Sequence, residues 1–389
     1  MPAPIRIVFA DDSVTIRRFL QEALGSIPEI EIVGVGKNGQ EAIGLVRRHR
    51  PDVLILDVEM PVMDGIDTVK TLRQFNTELP VIMFSSLTKS GGEATLDALA
   101  VGANAYAQKP TSGSGPDAAL NHIREQLVPK IRQIAASAPS RKPAPAPCGK
   151  LSTASRSGGN PHVNSDIDVV ETCRTPTSSP ARPAAKKSTE PCRLVVIGSS
   201  TGGPNALATL LPMITSKLKV PILIAQHMPT VFTKLLAERL DRVTNLEVRE
   251  AIHGETVKAG TILVAPGDYH LELKQDRPMP KLVLHQGPEE NSCRPAVDVL
   301  FRSAAAVYRD KVLGIVLTGM GKDGTEGCRA LNQAGSRVIA QDEASSVIWG
   351  MPRSVAQAGL ADEVLPLDMI AAAIHKHSAG TPRAAVAAR

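Results

Sequence analysis

Two α/β units, each built on a parallel sheet and joined by a long linker, are the fold class this 389-residue sequence predicts. Three observations carry that expectation. Short apolar runs alternate with amphipathic stretches toward both ends of the chain, the pattern of repeated βα units. Between them apolar periodicity gives way to Ala, Pro, Ser, Thr, Lys and Arg. The length also suits two cores better than one.

In the first unit, 1–135, the apolar runs predict strands at 5–10, 31–35, 53–57, 81–85 and 105–108. Helical spacing of apolar residues falls at 14–24, 39–48, 66–74, 93–101 and 118–134, so five βα units make one doubly wound sheet. Residues 136–190 cannot bury enough surface to offset their ordering entropy and read as a flexible linker. The second unit, 191–378, offers strands at 194–198, 221–226, 246–250, 261–265, 281–284, 312–318, 337–340 and 363–365. Helices fit 205–211, 231–243, 295–308, 324–334 and 352–358, again a doubly wound, Rossmann-like parallel sheet. Residues 379–389 read as a frayed, disordered tail.

Composition narrows the function. The net charge of +5 comes from scattered Lys and Arg, and aromatic residues are 3% of the chain, so no nucleic-acid partner is expected. Five cysteines (Cys148, Cys173, Cys192, Cys293, Cys328) lack metal-ligand spacing and read as free thiols of a reducing cytoplasm. No apolar run approaches the roughly 20 residues that span a bilayer, so membrane insertion is not expected and the protein is read as cytoplasmic. A monomer is assumed.

Carboxylates collect at the strand ends of the first unit. Asp11 and Asp12 end the first strand and Asp57 the third; neighbouring first and third strands would bring them to one sheet edge. Clustered carboxylates call for a hard divalent cation such as Mg²⁺. Ser85 ends the fourth strand, and Lys109, before Pro110, follows the fifth. A metal and a lysine sharing phosphate charge beside a sensing hydroxyl suit phosphoryl transfer onto a carboxylate.

On these residues the first unit resembles the receiver domain of two-component response regulators, a flavodoxin-like (βα)5 fold, over 5–134. The resemblance implies Asp57 as phosphoacceptor, and Asp11, Asp12 and Asp57, with the Glu59 carbonyl, around Mg²⁺. Ser85, Tyr106 and Lys109 match the family's switch hydroxyl, switch aromatic and lysine.

In the second unit the run Leu194-Val195-Val196-Ile197-Gly198-Ser199-Ser200-Thr201-Gly202-Gly203-Pro204 turns an apolar strand into a small-residue loop carrying two serines. Either could be a nucleophile, with the amides of the following helix beyond it to hold an oxyanion. Spacing fits neither a Walker loop nor Gly-x-Gly-x-x-Gly. His227, in Gln226-His227-Met228-Pro229, follows an apolar strand and suits a general base. Asp323, in Thr318-Gly319-Met320-Gly321-Lys322-Asp323-Gly324, suits the acid that orients the imidazole, or a helix N-cap. The order Ser, His, Asp departs from the Ser, acid, His order of α/β-hydrolases.

Those three motifs resemble the catalytic domain of chemotaxis protein-glutamate methylesterases of the CheB family. The resemblance selects Ser200, which precedes Thr-Gly-Gly, as nucleophile, His227 as base and Asp323 as orienting acid, with Thr201 and Met320 as oxyanion-site candidates. It implies hydrolysis of glutamate γ-methyl esters and deamidation of glutamines on methyl-accepting chemoreceptors, with no cofactor for hydrolysis and a chemotaxis histidine kinase as phosphodonor. Fusion of the two units implies that the unphosphorylated receiver covers the active-site edge. The competing readings are a non-enzymatic signalling adaptor and a methylesterase acting on another protein of a chemotaxis-like pathway.

Overall fold

The computed structural model describes residues 3–86, 88–111, 113, 115–137, 187–215 and 218–379. Most of the expected linker, and residues 380–389 of the expected tail, lie outside them, as do Cys148 and Cys173.

In the receiver-like unit the strands are β1 (Ile5–Ala10), β2 (Ile30–Gly36), β3 (Val53–Asp57), β4 (Val81–Ser85) and β5 (Ala105–Gln108). They pair in parallel in the order β2-β1-β3-β4-β5. Every residue of β3 and β4 is buried, because helices cover both faces. Those helices are α1 (Val14–Gly25), α2 (Gly39–His49), α3 (Gly65–Arg73), α4 (Lys89–Ala100) and α5 (Pro116–Ser137). The side chains of Ser13, Asn38, Asp64 and Thr88 each accept a hydrogen bond from the first turn of α1 to α4, which fixes where those helices start. With β1 and β3 adjacent, Asp11, Asp12 and Asp57 emerge at one edge.

The second unit has β6 (Leu194–Ser199), β7 (Ile222–Gln226), β8 (Glu247–Glu250), β9 (Thr261–Val264), β10 (His270–Lys274), β11 (Lys281–His285), β12 (Val312–Val316), β13 (Arg337–Gln341) and β14 (Glu363–Leu365). Seven form a parallel sheet in the order β14-β13-β12-β6-β7-β9-β8. Its helices are α6 (Gly203–Leu210), α7 (Thr230–Val243), α8 (Val297–Tyr308), α9 (Thr325–Gln333), α10 (Met351–Gln357) and α11 (Leu367–Ala379). Successive strands run outward from β6 through β7 on one side, while β12 to β14 build the other. The direction in which strands are added therefore reverses between β6 and β12, where open α/β sheets form their crevice.

Three expectations need correcting. The 281–284 strand does not join the main sheet; β11 pairs antiparallel with β10, a strand the sequence reading passed over. No helix was expected after 358, yet α11 forms at Leu367–Ala379 and buries Ile370, Ala371, Ala373 and Ile374. At the end of the expected linker, Lys187 Nζ lies 2.6 Å from the Ser336 carbonyl and 2.9 Å from Asp362 Oδ2, and Ser188 N donates to the Gly335 carbonyl. The polar side chain at 187 is held by polar groups, which an apolar-periodicity criterion does not register.

The two units pack closely. Tyr106 of β5 stacks on Phe232 of α7 with ring centroids 5.2 Å apart and planes 11° from parallel. Asn205 Nδ2 donates to the carbonyls of Leu99 (2.8 Å) and Ala103 (3.1 Å), and Arg239 pairs with Asp97 at 2.7 Å. Ile348, buried, shares one apolar cluster with Ile123, Leu127 and Ile131 of α5.

Gly198 marks the tightest passage through the second core. A Cβ there would sit 2.3 Å from Val297 Cγ1, and Val297 is β-branched and stiff. Gly198→Ala should therefore lower unfolding free energy by about 1–3 kcal/mol through overpacking. Urea denaturation measures it; an unchanged midpoint would mean that β6 and α8 are less tightly opposed than this.

Candidate active site and carboxylate cluster

Neighbouring strands β12, β6 and β7 each end in a loop at the same sheet edge, and those loops carry Asp323, Ser200 and His227. Ser199 and Gln226 are register partners on β6 and β7, so the residues that follow them start side by side. Gln226 then ties the two turns together. Its Nε2 donates to the carbonyls of Ser200 (2.9 Å) and His227 (3.2 Å), and its Oε1 accepts from Ser199 Oγ at 2.6 Å.

That network separates the two serines. Ser199 is fully buried and its hydroxyl is committed to Gln226. Ser200 faces a cleft of about 1000 Å³ that it lines together with His227, Cys293, Asn291 and Met320. Gly202 lets the serine turn enter α6. Its φ is +82°, and a side chain there would meet Val347 Cβ at 2.6 Å.

Asp323 is buried and accepts five hydrogen bonds. Oδ2 receives His227 Nε2 at 2.7 Å and Val297 N at 2.6 Å; Oδ1 receives Gly324 N (2.9 Å), Asp298 N (3.0 Å) and Asn291 Nδ2 (3.0 Å). Val297 and Asp298 open α8, so the carboxylate caps α8 as well as touching the approach to α9. The carboxylate thus joins the His227 ring to the first turn of α8, whereas the helix the sequence suggested it would cap, α9, starts without a side-chain cap. Burial opposes the Asp323 charge, but His227 and the main-chain amides hold its carboxyl below the usual range. Burial likewise opposes an imidazolium at His227, yet Asp323 and Cys293 raise its proton affinity above that of an ordinary histidine.

The ring presents Nε2 to Asp323 and turns Nδ1 away from it, toward Cys293. In this structure Nδ1 lies 3.4 Å from Cys293 Sγ. Ser200 is joined to its surroundings through its main chain: its N donates to the Thr318 carbonyl, and its carbonyl accepts from Gly203 N. The structure thus brings His227 and Asp323 into contact and sets Ser200 on the same cleft, without a Ser200–His227 hydrogen bond among the described residues. Thr201 and Met320 both line the cleft. A Cβ at Gly319 would fall 2.8 Å from Ser200 Cβ, so the chain entering Met320 runs directly against the serine turn.

Asn291, Cys293 and Asp298 were not singled out as site residues. They lie on no nucleophile or phosphate motif and reach the site only through the fold; Gln226 was visible in the Gln-His-Met-Pro motif without a role attached.

One wall of the cleft is the other unit: Tyr106, Gln108, Glu125, Gln126, Pro129 and Lys130. Burial depresses Lys130 to about 8, and its Nζ donates to the Gln126 carbonyl.

At the receiver-like edge, oxygens of Asp11, Asp12 and Asp57 lie within 4.8 Å of one another. Lys109 Nζ bridges Asp11 Oδ2 (2.8 Å) and Asp57 Oδ2 (2.7 Å). Burial and the neighbouring Asp11 push Asp57 up to about 6 against the pull of Lys109. A cavity of about 150 Å³, lined by Asp12, Asp57, Glu59, Ser85 and Lys109 among others, opens over them. Ser85 Oγ accepts from Thr95 Oγ1 at 2.7 Å, and Tyr106 is the residue stacked on Phe232. The hard oxygen donors fit a divalent cation such as Mg²⁺.

Fold and sites together define a response-regulator receiver coupled to an α/β unit with serine, histidine and aspartate at its sheet crevice. Comparison with known proteins agrees. Residues 7–120 match the response regulator receiver domain family and residues 195–374 the CheB methylesterase family. A protein-glutamate methylesterase/protein-glutamine glutaminase of Trichodesmium erythraeum is 44% identical over 94% of this chain and 97% of its own length. A protein of the same description from a Nocardioides species is 44% identical over 93% of this chain and 92% of its own. The crystal structure of the Thermotoga maritima CheB methylesterase catalytic domain is 45% identical, covering 47% of this chain and 97% of that one, with a TM-score of 0.46. The chain belongs to the protein-glutamate methylesterase/protein-glutamine glutaminase family.

The two serines should respond oppositely to truncation. Ser199→Ala strands the buried Gln226 Oε1 and should cost about 1–3 kcal/mol of stability. Ser200→Ala removes a hydroxyl held by no described side chain and should stay within about 0.5 kcal/mol of the parent. Chemical denaturation compares them, and equal losses would contradict the assignment of Ser199 as the structural serine.

Proposed function

We propose that this protein is a phosphorylation-controlled serine hydrolase that removes glutamate γ-methyl esters from methyl-accepting chemoreceptors and deamidates receptor glutamines. The observation that carries the reading is the bond between His227 Nε2 and Asp323 Oδ2 beside Ser200, on the loops of adjacent strands at one cleft.

Ser200 Oγ attacks the γ-carbonyl, and its proton passes to His227 Nδ1. Asp323, a buried anion, stabilises the imidazolium through Nε2. Amides of the Thr201 and Met320 turns are the candidates to hold the tetrahedral oxyanion. His227 then gives the proton to methanol, or to ammonia when the substrate is a glutamine. Water, deprotonated by the same nitrogen, cleaves the glutamyl ester, restoring Ser200 and releasing a carboxylate. Every proton moves on chain residues, so no cofactor is assigned to the hydrolysis.

Asp57 is the proposed phosphoacceptor, with a chemotaxis histidine kinase as donor and the cytoplasm as the place of action. Asp11, Asp12 and Asp57 are the side chains that would hold Mg²⁺, which supplies neutralisation of phosphate charge when bound. Lys109 adds its own charge at the same oxygens. A phosphoryl oxygen takes the Ser85 hydroxyl hydrogen and draws that side chain toward Asp57, and Tyr106 follows that shift. Tyr106 is stacked on Phe232, two residues inside the helix that begins just beyond His227 and Pro229, so its movement loosens the wall of the cleft. The unphosphorylated receiver is in this reading an inhibitor by obstruction.

Methanol release from methylated receptor membranes tests the reading, with and without a small phosphodonor and Mg²⁺. Release should vanish in Ser200→Ala and lose its response to phosphodonor in Asp57→Ala. A Ser200→Ala protein that still supports signalling would favour the adaptor reading.

Obstruction makes a separate prediction. Asn205→Ala removes two hydrogen bonds to the receiver, each worth about 1 kcal/mol. Unphosphorylated activity should rise by up to about thirtyfold, since each step of about 1.4 kcal/mol shifts an equilibrium tenfold. Activity that stays at the parent level while the phosphorylated rate is normal would argue against the docked receiver as the brake.

A further inference from the structure

Asp323 meets His227 through Oδ2, and the direction of that contact depends on how Oδ1 is held. Two main-chain amides hold it, and one side chain: Asn291 Nδ2 at 3.0 Å. The same Asn291 nitrogen donates to Asp298 Oδ2 at 3.0 Å. An amide NH2 carries two hydrogens, so one group serves both carboxylates. Asp298 is itself buried, and its Oδ1 accepts from Gly327 N at 2.7 Å. Burial, with Asp323 close by, pushes Asp298 up to about 6, because two carboxylates in one buried site resist double ionisation. Without Asn291 they would lack the donor that now stands between them.

Asn291 belongs to a turn closed by main-chain bonds in both directions between Glu290 and Cys293. Arg302 Nη2 clamps Glu290 at 2.6 and 2.8 Å, and Asn291 and Ser292 both have positive φ, 52° and 57°. Cys293 of the same turn brings its sulfur to His227 Nδ1. One short turn therefore touches both the acid and the base, on the face of the site that opens into the cleft.

We propose that Asn291 is a positioning residue for the hydrolysis: its amide bridges Asp298 and Asp323 and so fixes the carboxylate that aims the His227 ring. The inference rests on the Ser200–His227–Asp323 reading and extends it to the cleft-lining turn. Asn291 acts through Asp323 and needs no contact with the reacting carbonyl.

The test is methanol release by the full chain, phosphorylated by a small phosphodonor, on methylated receptor membranes. Asn291→Gly deletes the amide while accepting the left-handed backbone. Asn291→Asp keeps the size but sets a third carboxylate against the other two. Asn291→Gly should lower kcat about tenfold with KM within about twofold, as expected for a misaligned catalytic pair. Asn291→Asp should lose at least as much. In an Asp323→Ala background, Asn291→Gly should change kcat by less than about twofold, since the residue it works through is gone. An undiminished loss in that background, a loss confined to KM, or a fully active Asn291→Asp would overturn the inference. Ser200→Ala in parallel separates the two levels. Loss of Ser200 dependence would bring down the triad itself, whereas Ser200-dependent release with independent Asn291 and Asp323 effects would remove only the bridging role.

Discussion

The buried carboxylate of Asp323 is the constraint on which the second unit turns. An ionised carboxylate taken out of water is costly unless hydrogen bonds replace its hydration. Here the replacements come from distant parts of the chain: His227 after β7, Val297 and Asp298 at the start of α8, Asn291 on the cleft-lining turn, and Gly324 next door. The dipole of α8 adds its positive end at the same place. Satisfying one charge thus fixes the mutual positions of β7, α8, the 290–293 turn and the loop after β12. The close approach of Gly198 to Val297 belongs to the same arrangement, because Val297 N is one of the donors. Stability and chemistry share these groups, so the site is as rigid as the fold around it.

The receiver-like unit solves a related problem differently. Asp11 and Asp57 are also buried at a strand edge, but the main compensation is a single side-chain cation, the Lys109 ammonium, in place of a ring of amides. Burial leaves both carboxyls above the ordinary range. Five fixed donors make an anion permanent, as an orienting acid requires. One lysine beside an open 150 Å³ cavity leaves a carboxylate that can change its partners, as a switch requires.

Much of this was legible in the sequence, and the reasons differ residue by residue. Ser200, His227, Asp323, Asp57 and Lys109 each follow an apolar run, so strand period and loop position alone brought them to two sheet edges. Between Ser199 and Ser200 the resemblance picked Ser200 through its Thr-Gly-Gly, but the physical basis, Gln226 capturing the other hydroxyl from the adjacent strand, appears only in the register. A cap at Asp323 was weighed for the helix that follows it, because capping statistics concern that helix; the amides it accepts open α8, which precedes it by many residues. β10 escaped because His270 and Glu272 interrupt a five-residue stretch, and α11 because its buried face contains small alanines. Asn291 and Cys293 carried no signal at all: their partners are brought to them by chain closure from far away in sequence.

The stacking of Tyr106 on Phe232 gives the two carboxylate systems a physical route to each other in the proposed switch. Phe232 lies in the first turn of α7, and the chain between it and His227 is short and begins with Met228 and Pro229. Asp57 and His227 thus bias one shared element, the docked face of β5 and α4 against α7. Coupling through such an element is reciprocal: whatever favours the separated arrangement from one side favours it from the other. In the proposed switch, phosphorylation that loosens the docked face would open the cleft, and a receptor segment seated there would displace Glu125, Pro129 and Lys130 and so favour the phosphorylated receiver. In that proposal the receiver wall of the cleft would for that reason also sense occupancy, and the strength of its contacts would set both the resting activity and the ease with which substrate and phosphate act together.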